Sequence, residues 1–179
     1  MTLFSELTSL PLMLYTNSPE ETEAVGACLA GLFGSDRTLP PFVALYGDLG
    51  ETEELGRRIA AAVDRSNGFF FIAMYGDLGA GKTAFVRGFA SVLAPGRLVR
   101  SPTFALVNEY RVPGRTPLFH FDMYRVTSDD ELYSMGYDDY LDRGICLSEW
   151  CENIPDALPD RRVQVVIEKC PGGGNVNRR

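Results

Sequence analysis

Histidine and paired cysteines are scarce in this sequence, and their scarcity argues against a familiar class of metal site. The 179 residues include one histidine, His120, and four cysteines that form no C-x-x-C pair. A structural zinc site needs four closely spaced Cys or His ligands, which this sequence does not offer. We expect reduced and mostly buried thiols at Cys28, Cys146, Cys151 and Cys170.

Basic charge and long apolar runs are also lacking. Seventeen Lys and Arg residues against 24 Asp and Glu give a net charge of −7. This charge argues against direct binding of DNA, and we expect any RNA to be held by a partner protein. No apolar run approaches the roughly 18 to 20 residues that span a bilayer. The first residues lack the basic stretch of a signal peptide, so we expect a cytoplasmic protein without a membrane segment. A hydrophobic content of 45% suits one domain with a full core.

The most informative stretch is GDLGAGKT at residues 76–83, directly after an apolar run at 69–75. It matches the phosphate-binding pattern G-x-x-x-x-G-K-[ST]. In that pattern the glycines let the backbone turn its N–H groups toward phosphate oxygens, Lys82 reaches the β- and γ-phosphates, and Thr83 ligates Mg²⁺. Residues 84–93 are predicted to be helical, which would place the phosphates at a helix N-terminus. The sequence therefore predicts a nucleoside triphosphate site.

A helix–strand–loop segment occurs twice in the first half of the chain. ALYGDLG at 44–50 resembles AMYGDLG at 73–79, and ETEAVG at 21–26 resembles ETEELG at 51–56. Only the second copy continues into Lys82, so the first copy cannot make the phosphate and metal contacts.

Two copies are too few for a solenoid, so we interpret the chain as one domain with an N-terminal duplication. Residues 1–49 are the partial duplicate, residues 50–170 the complete nucleotide-binding core and residues 171–179 a flexible tail. The first copy can add an edge strand, displace part of the second or pack loosely, and the sequence leaves these three open.

Apolar runs that alternate with helical patterns predict an α/β fold with a mainly parallel sheet flanked by helices. Helices are predicted at 18–33, 52–63, 84–93 and 128–136. The last has Ser128 as N-cap and Glu131 in the capping-box position. Strands are predicted at 11–16, 42–46, 69–75, 104–107, 117–125, 145–150 and 163–168.

Two acidic residues, Asp122 and Glu149, fall near the ends of predicted strands. Each has a structural interpretation, Asp122 as a strand-end cap and Glu149 as a salt-bridged surface acid. The phosphate loop upstream favours a metal role for both, direct or through water for Asp122. Alternation places His120 on the same strand face as Asp122, although a lone histidine is more often structural. Thr103 fits either a turn or a switch that senses phosphate, and Trp150 fits either the core or a partner's anchor.

Taken together, the motifs resemble those of the TsaE family, the P-loop ATPase of bacterial tRNA threonylcarbamoyladenosine (t6A) biosynthesis. The similarity covers about residues 50–170. The motifs, in the family's order and spacing, are GDLGAGKT, SPTF at 101–104, HFDMYR at 120–125, ELYSMG at 131–136 and SEW at 148–150.

The resemblance implies slow hydrolysis of ATP with Mg²⁺ and docking onto a TsaD–TsaB complex. That complex modifies adenosine 37 of tRNAs that read ANN codons, so this chain would contact tRNA only indirectly, through the complex. Catalytic roles are implied for Lys82, Asp122 and Glu149, and metal roles for Thr83, Glu149 and Asp122. Nucleotide contacts are implied for Thr52, Asp77, Leu78, Gly79, Ala80, Gly81, Lys82, Thr83, Ala84 and Trp150.

Two departures from the family's pattern bear on the site. Ala84 stands where many members have a second threonine. Because the N-terminal unit is duplicated, either Thr22 or Thr52 can take the position beside the nucleotide, and we favour Thr52, which belongs to the copy with the loop.

Three other functions fit a phosphate loop. A small-molecule kinase would need an acceptor pocket and a lid, and no lid segment stands out. A GTPase switch would need an N-K-x-D motif, which does not occur in the sequence. The third is a nucleotide-gated binding module without significant turnover.

Overall fold

Strands alternate with helices along the described part of the chain. The computed structural model describes residues 12–13, 42–46, 49–63, 70–111, 113–114 and 116–168. The strands are β1 (Leu12–Met13), β2 (Phe42–Tyr46), β3 (Phe70–Tyr75), β4 (Val107–Tyr110), β5 (Leu118–Asp122), β6 (Ile145–Glu149) and β7 (Val163–Glu168). The helices are α1 (Leu49–Val63), α2 (Lys82–Leu93), α3 (Asp129–Ser134) and α4 (Asp138–Leu141), with 3₁₀ turns at Cys151–Asn153 and Pro155–Ala157. Within these ranges, no helix is long and apolar enough to cross a membrane.

All seven strands belong to one sheet, in the order β1-β2-β7-β3-β6-β5-β4. Each neighbouring pair is parallel except β4 with β5, which is antiparallel. The register pairs Glu149 of β6 with Met74 of β3 on one side and with Asp122 of β5 on the other. The carboxyl ends of these three strands therefore meet at one edge, beside the loop that leaves β3. The predicted mainly parallel α/β fold is confirmed.

Each face of the sheet carries its own hydrophobic cluster, because successive side chains of a strand point to opposite faces. Ile72 and Met74 of β3 pack in one cluster with buried residues of α1 and α2. Phe71 and Ala73 of the same strand pack in the other, which includes Leu132 of α3. The sheet is thus covered on both sides, as expected where most strands are parallel.

Helices α1 and α2 contact each other so closely that glycine is required at the crossing. A Cβ atom added to Gly88 would lie 1.7 Å from the backbone oxygen of Glu53. One added to Gly56 would lie 2.1 Å from the backbone oxygen of Phe85. The helix that follows the phosphate loop is therefore fixed against α1 by backbone contact, with an ion pair between Arg87 and Glu53 at 3.6 Å beside it.

The strand of the first repeat is part of the sheet. Residues 42–46 of β2 pair in parallel with residues 164–168 of β7, and β1 lies outside β2. Among the described strands it is therefore second from the edge. The predicted helix 18–33 and tail 171–179 lie outside the described residues.

Some predicted boundaries were wrong, and one predicted N-cap is confirmed in position but lacks its side-chain hydrogen bond. The strand expected at 104–107 begins at Val107, because Leu106 adopts a left-handed φ of 62° and its N–H donates to the Pro102 carbonyl at 2.7 Å. Ser128 is the N-cap of α3, but its side chain makes no capping hydrogen bond. The Glu131 carboxylate instead accepts from the backbone N–H of Thr127, at 3.0 Å, and from the Thr127 hydroxyl.

Candidate functional site

The phosphate loop connects the end of β3 to the start of α2 through three glycines with positive φ. The φ values are 130° at Gly76, 73° at Gly79 and 124° at Gly81, a conformation that other residues adopt with strain. Gly76 also meets the neighbouring strand, since a Cβ there would lie 2.1 Å from the backbone oxygen of Ile167 in β7. The loop is therefore held in a tight curve by both its glycines and its contact with the sheet.

The N-terminus of α2 has the features of an anion site. Gly81 caps the helix without a side-chain hydrogen bond, and no acidic residue lies in the first turn. The N–H groups of a first turn lack partners inside the helix, and the helix dipole favours negative charge there. A phosphate group can therefore bind here without displacing a side-chain cap.

Lys82, the first residue of α2, is buried and folded back onto the loop. Its ammonium group donates to the carbonyl of Gly76 and to that of Asp77, the latter at 3.1 Å. It also lies 3.6 Å from the centroid of the Trp150 ring, within cation–π range. These contacts hold the charged end of Lys82 at the loop, where phosphates would lie.

Burial lowers the pKa of Lys82 from its usual value, since it disfavours the charged form. Nearby carboxylates, Glu149 foremost, act in the opposite direction and favour the charge. A bound phosphate would add negative charge at this lysine and stabilise the ammonium form further.

Thr83 and Glu149 are joined by a hydrogen bond across the site. The Thr83 hydroxyl donates to Glu149 Oε1 at 2.9 Å, from the first turn of α2 to the end of β6. The same oxygen lies 2.8 Å from Nε2 of His120 on β5. His120 and Glu149 are both buried, at 0% and 3% exposure. The geometry thus brings together Thr83 and Glu149, two of the three residues predicted to serve a metal.

Asp122 lies beside Glu149 in the sheet register, but its carboxylate is occupied by other donors. Oδ2 accepts from the Ser101 hydroxyl and from the Thr103 hydroxyl at 2.7 Å. Oδ1 accepts from the backbone N–H of Tyr124 at 3.0 Å. Asp122 therefore ties the 101–103 segment to the strand end, which is the arrangement of a strand-end cap.

Aromatic residues form one wall of the site. Trp150 has a left-handed φ of 62° directly after β6, and its ring contacts Tyr124 at 4.8 Å between centroids. The guanidinium of Arg125 lies 4.2 Å from the ring centroid of Phe104, a side chain that is 85% exposed. Trp150 therefore lies between Lys82 and Tyr124, and a separate cation–π contact lies at the 101–104 segment.

The comparisons with known proteins agree on one family. The family model described as "Threonylcarbamoyl adenosine biosynthesis protein TsaE" matches residues 50–175. This chain belongs to the TsaE family.

Relatives and a solved structure show the extent of the similarity. The tRNA threonylcarbamoyladenosine biosynthesis protein TsaE of Bacillus subtilis (strain 168) is 46% identical over 99 residues, which are 55% of this chain and 61% of that protein. The TsaE protein of Haemophilus influenzae is 39% identical over 100 residues, 55% of this chain and 63% of that protein. The crystal structure of YdiB from Bacillus subtilis is similar at 36% identity and a TM-score of 0.55, covering 68% of this chain and 72% of that one. The chain thus spans less than two thirds of the first two relatives, and it has the family's P-loop NTPase-like fold.

The oxygen donors of this TsaE-family chain fit a magnesium ion that is bound jointly by protein side chains and a nucleotide. In the described part of the chain, no group of three or more His, Cys, Asp or Glu side chains is arranged to hold a metal. Mg²⁺ is commonly bound through one or two protein oxygens together with water and substrate phosphates. Thr83 and Glu149 supply such oxygens beside the anion site.

The other predicted nucleotide residues lie in three places. Thr52 is buried in α1, one turn before Gly56. Asp77, Leu78 and Gly79 form the exposed crest of the loop, with Leu78 72% exposed. Ala80 and Ala84 are buried on either side of Lys82, and their side chains belong to the hydrophobic core.

Two residues of the site were not predicted as partners of its acids. Ser101 belongs to the SPTF motif, in which Thr103 fits either a turn or a switch. The two hydroxyls lie 2.7 Å apart and share Asp122. Alternation places His120 on the Asp122 face, and its ring contacts Glu149 of the neighbouring strand. The spacing S-x-T and the alternation H-x-D were the available signals.

Proposed function

We propose that this TsaE-family chain binds ATP with Mg²⁺ and hydrolyses it slowly, as an accessory subunit of t6A biosynthesis. The observation that carries the proposal is the hydrogen bond from Thr83 to Glu149 at the mouth of the phosphate loop. In P-loop proteins the loop's hydroxyl and an acid from a neighbouring strand together hold the magnesium ion. The loop, the lysine, the hydroxyl and the acid all occur here in one site.

The roles of the residues follow from their chemistry. Backbone N–H groups of residues 79–83 would hold the phosphates, and Lys82 would neutralise them. Thr83 and Glu149 would hold Mg²⁺, which supplies charge neutralisation of the phosphate oxygens. Asp122 serves catalysis in this proposal by ordering the 101–103 segment, with any contact to the metal made through water. Trp150 and Thr52 complete the nucleotide side.

The present position of Lys82 is compatible with this role. Its ammonium is bonded to two backbone carbonyls and an aromatic ring, all of them uncharged partners. Charge-assisted bonds to phosphate are stronger than such contacts. We therefore expect Lys82 to exchange these partners for phosphate oxygens when the nucleotide binds.

The partners proposed are TsaD and TsaB, with which the chain would support threonylcarbamoylation of adenosine 37 in tRNAs that read ANN codons. A net charge of −7 disfavours direct contact with tRNA, so the complex would hold it. A role in tRNA modification would place the protein in the cytoplasm.

A small-molecule kinase is the alternative, and the described residues favour it less. A groove of about 480 Å³ is lined by Arg97, Leu98, Glu109, Tyr110 and Arg111. Arg97 and Leu98 lie past the C-terminal end of α2, whereas a phosphoryl acceptor must bind near the N-terminal end, beside Lys82. A nucleotide-gated module without turnover remains the second alternative.

The test is calorimetry of ATP with and without Mg²⁺, followed by ATP hydrolysis alone and with TsaD–TsaB. Lys82→Ala should lose tight ATP binding and stay folded, because Lys82 lies at a loop–helix junction. Glu149→Gln should lose the tightening by Mg²⁺ while keeping ATP affinity in EDTA. Glu152→Gln is the matched control, an exposed carboxylate three residues further along.

Equal ATP affinities of wild type and Lys82→Ala would overturn the site. Phosphate transfer from ATP to a small molecule, in a screen of acceptors, would overturn the accessory role in favour of the kinase. Tight ATP binding without hydrolysis in the presence of both partners would favour the gated module.

A further inference from the structure

The single histidine of the chain is buried against the acid of the site. His120 has no exposed surface, and its Nε2 lies 2.8 Å from Glu149 Oε1. The Thr83 hydroxyl donates to the same oxygen at 2.9 Å. One carboxylate oxygen therefore receives hydrogen bonds from two elements, β5 and α2.

The hydrogen bond assigns the tautomer of the ring. A carboxylate only accepts, so the imidazole proton lies on Nε2. Among the described residues, Nδ1 of His120 is buried without a hydrogen-bond partner. An unpaired polar atom in a core is unfavourable, so an apolar side chain would pack here at lower cost.

We propose that His120 is a positioning residue for the magnesium site, and this rests on the function proposed above. A threonine hydroxyl has one hydrogen and two lone pairs. When Thr83 donates its hydrogen to Glu149, both lone pairs stay available for the metal. His120 holds the accepting oxygen in place through its own Nε2–H, so that the Thr83 hydroxyl keeps this orientation.

The sheet makes this arrangement rigid. His120 is paired with Leu147 across β5 and β6, and Asp122 is paired with Glu149 one step further along the same face. His120 therefore reaches Glu149 diagonally between two hydrogen-bonded strands. The Asp122 carboxylate is held by Ser101, Thr103 and the Tyr124 backbone instead, so His120 acts on Glu149 alone.

The test separates positioning from packing by measuring how much Mg²⁺ tightens ATP binding. His120→Leu removes the donor and keeps an apolar filler, whereas His120→Gln keeps an amide donor of similar reach. Ser148→Ala is the matched control, since its hydroxyl is a buried polar group on β6 that has no hydrogen-bond partner. ATP affinity is measured by calorimetry for each variant in EDTA and in Mg²⁺, with thermal unfolding alongside.

We expect His120→Leu to lower the Mg²⁺-dependent tightening about fivefold or more while ATP affinity in EDTA is unchanged. His120→Gln should restore most of the tightening, and Ser148→Ala should match wild type. Parallel losses of affinity in EDTA and in Mg²⁺ for His120→Leu would overturn positioning in favour of packing. Absence of ATP binding by the wild type would instead overturn the function proposed above.

A second measurement needs neither a variant nor a nucleotide. Because His120 is the only histidine, ¹⁵N NMR of the imidazole reports this ring without ambiguity. We expect the tautomer with hydrogen on Nε2, and the opposite tautomer would overturn the proposal even where the ATP site itself is intact.

Discussion

The charged end of Lys82 lies in the phosphate loop, where a bound phosphate would compete for the hydrogen bonds of its ammonium group. Its ammonium contacts two carbonyls of the loop and the face of Trp150, while burial lowers its pKa. A buried cation held by uncharged groups is less stable than one held by an anion. We therefore expect the Lys82 side chain to move when phosphate binds, and Trp150 lies close enough to report that movement.

Trp150 is the only tryptophan, so its fluorescence should report the departure of Lys82. We expect saturating ATP to change the intensity of Trp150 emission, because the cation 3.6 Å from its ring moves to the phosphates. AMP, which lacks the β- and γ-phosphates, should change the emission less than ATP does. Unchanged emission at ATP concentrations that calorimetry shows to be saturating would contradict this movement.

The buried thiols should make the fold sensitive to alkaline pH. Burial raises the pKa of Cys151 from 9.0 to about 12 and that of Cys146 by a similar amount. A raised folded-state pKa contributes stability that is complete below the unfolded value and is lost as pH rises through the folded value. Each thiol should then cost about 1.4 kcal/mol of unfolding free energy per pH unit across that window.

Cys151→Ala tests this dependence. The variant should be slightly less stable than wild type near neutral pH, because a small cavity remains, and should lose stability less steeply above pH 9. Urea unfolding at a series of pH values measures the two slopes. Ser91→Ala, an exposed position on α2 that carries no titrating group, should run parallel to wild type. Parallel slopes for Cys151→Ala as well would show that the thiol does not titrate differently on unfolding.

At the scale of the elements, the site depends on where α2 begins and how it is held. Its first two residues, Lys82 and Thr83, are those proposed for the phosphate and metal chemistry, and its second turn is pressed against α1. Gly88 is the position at which this contact is closest, 1.7 Å for an added Cβ. Any displacement of α2 from α1 would also move Thr83 relative to Glu149.

Gly88→Ala should therefore destabilise the fold despite its better helix propensity. The methyl group must push the helices apart, and overpacking of this kind costs about 1–3 kcal/mol. Ser91→Ala is the control, an exposed position on the same helix, with an expected change within about 0.5 kcal/mol. Urea unfolding of both variants measures the difference, and a Gly88→Ala protein as stable as wild type would show that the crossing can open freely.

Local sequence patterns predicted the strands, the loop and the helix that carry the candidate site. Features that depend on long-range contacts could not be predicted in this way. The loop between β3 and α2 and the placement of Asp122 beside Glu149 could be predicted from the motif and from parallel strand ends. The shift of β4 to Val107 could not, because it depends on the left-handed Leu106. The contact of His120 with Glu149 depends on the register between β5 and β6, which no local pattern specifies.

At the scale of the whole molecule, one strand pattern occurs on both sides of β7. β2 reads FVALY and residues 71–75 of β3 read FIAMY, and both pair in parallel with β7. The duplicated strand thus makes β7 an internal strand of the sheet. The duplicated strand covers one edge of β7, whereas the loop, α2 and both acids belong to the part of the chain after residue 50.

A chain that begins at Gly47, with all of α1 retained, separates these two contributions. We expect it to fold with a lower Tm, losing about 1 kcal/mol for each hydrogen bond between β2 and β7, because β7 becomes an edge strand. Its ATP affinity should stay within about threefold of the full chain, since the loop, α2, Asp122 and Glu149 are all retained. Thermal unfolding and calorimetry on both proteins provide the comparison. A folded Gly47 chain that binds ATP tenfold more weakly would show that the first copy supplies part of the site, and the threonine beside the nucleotide would then be Thr22 rather than Thr52.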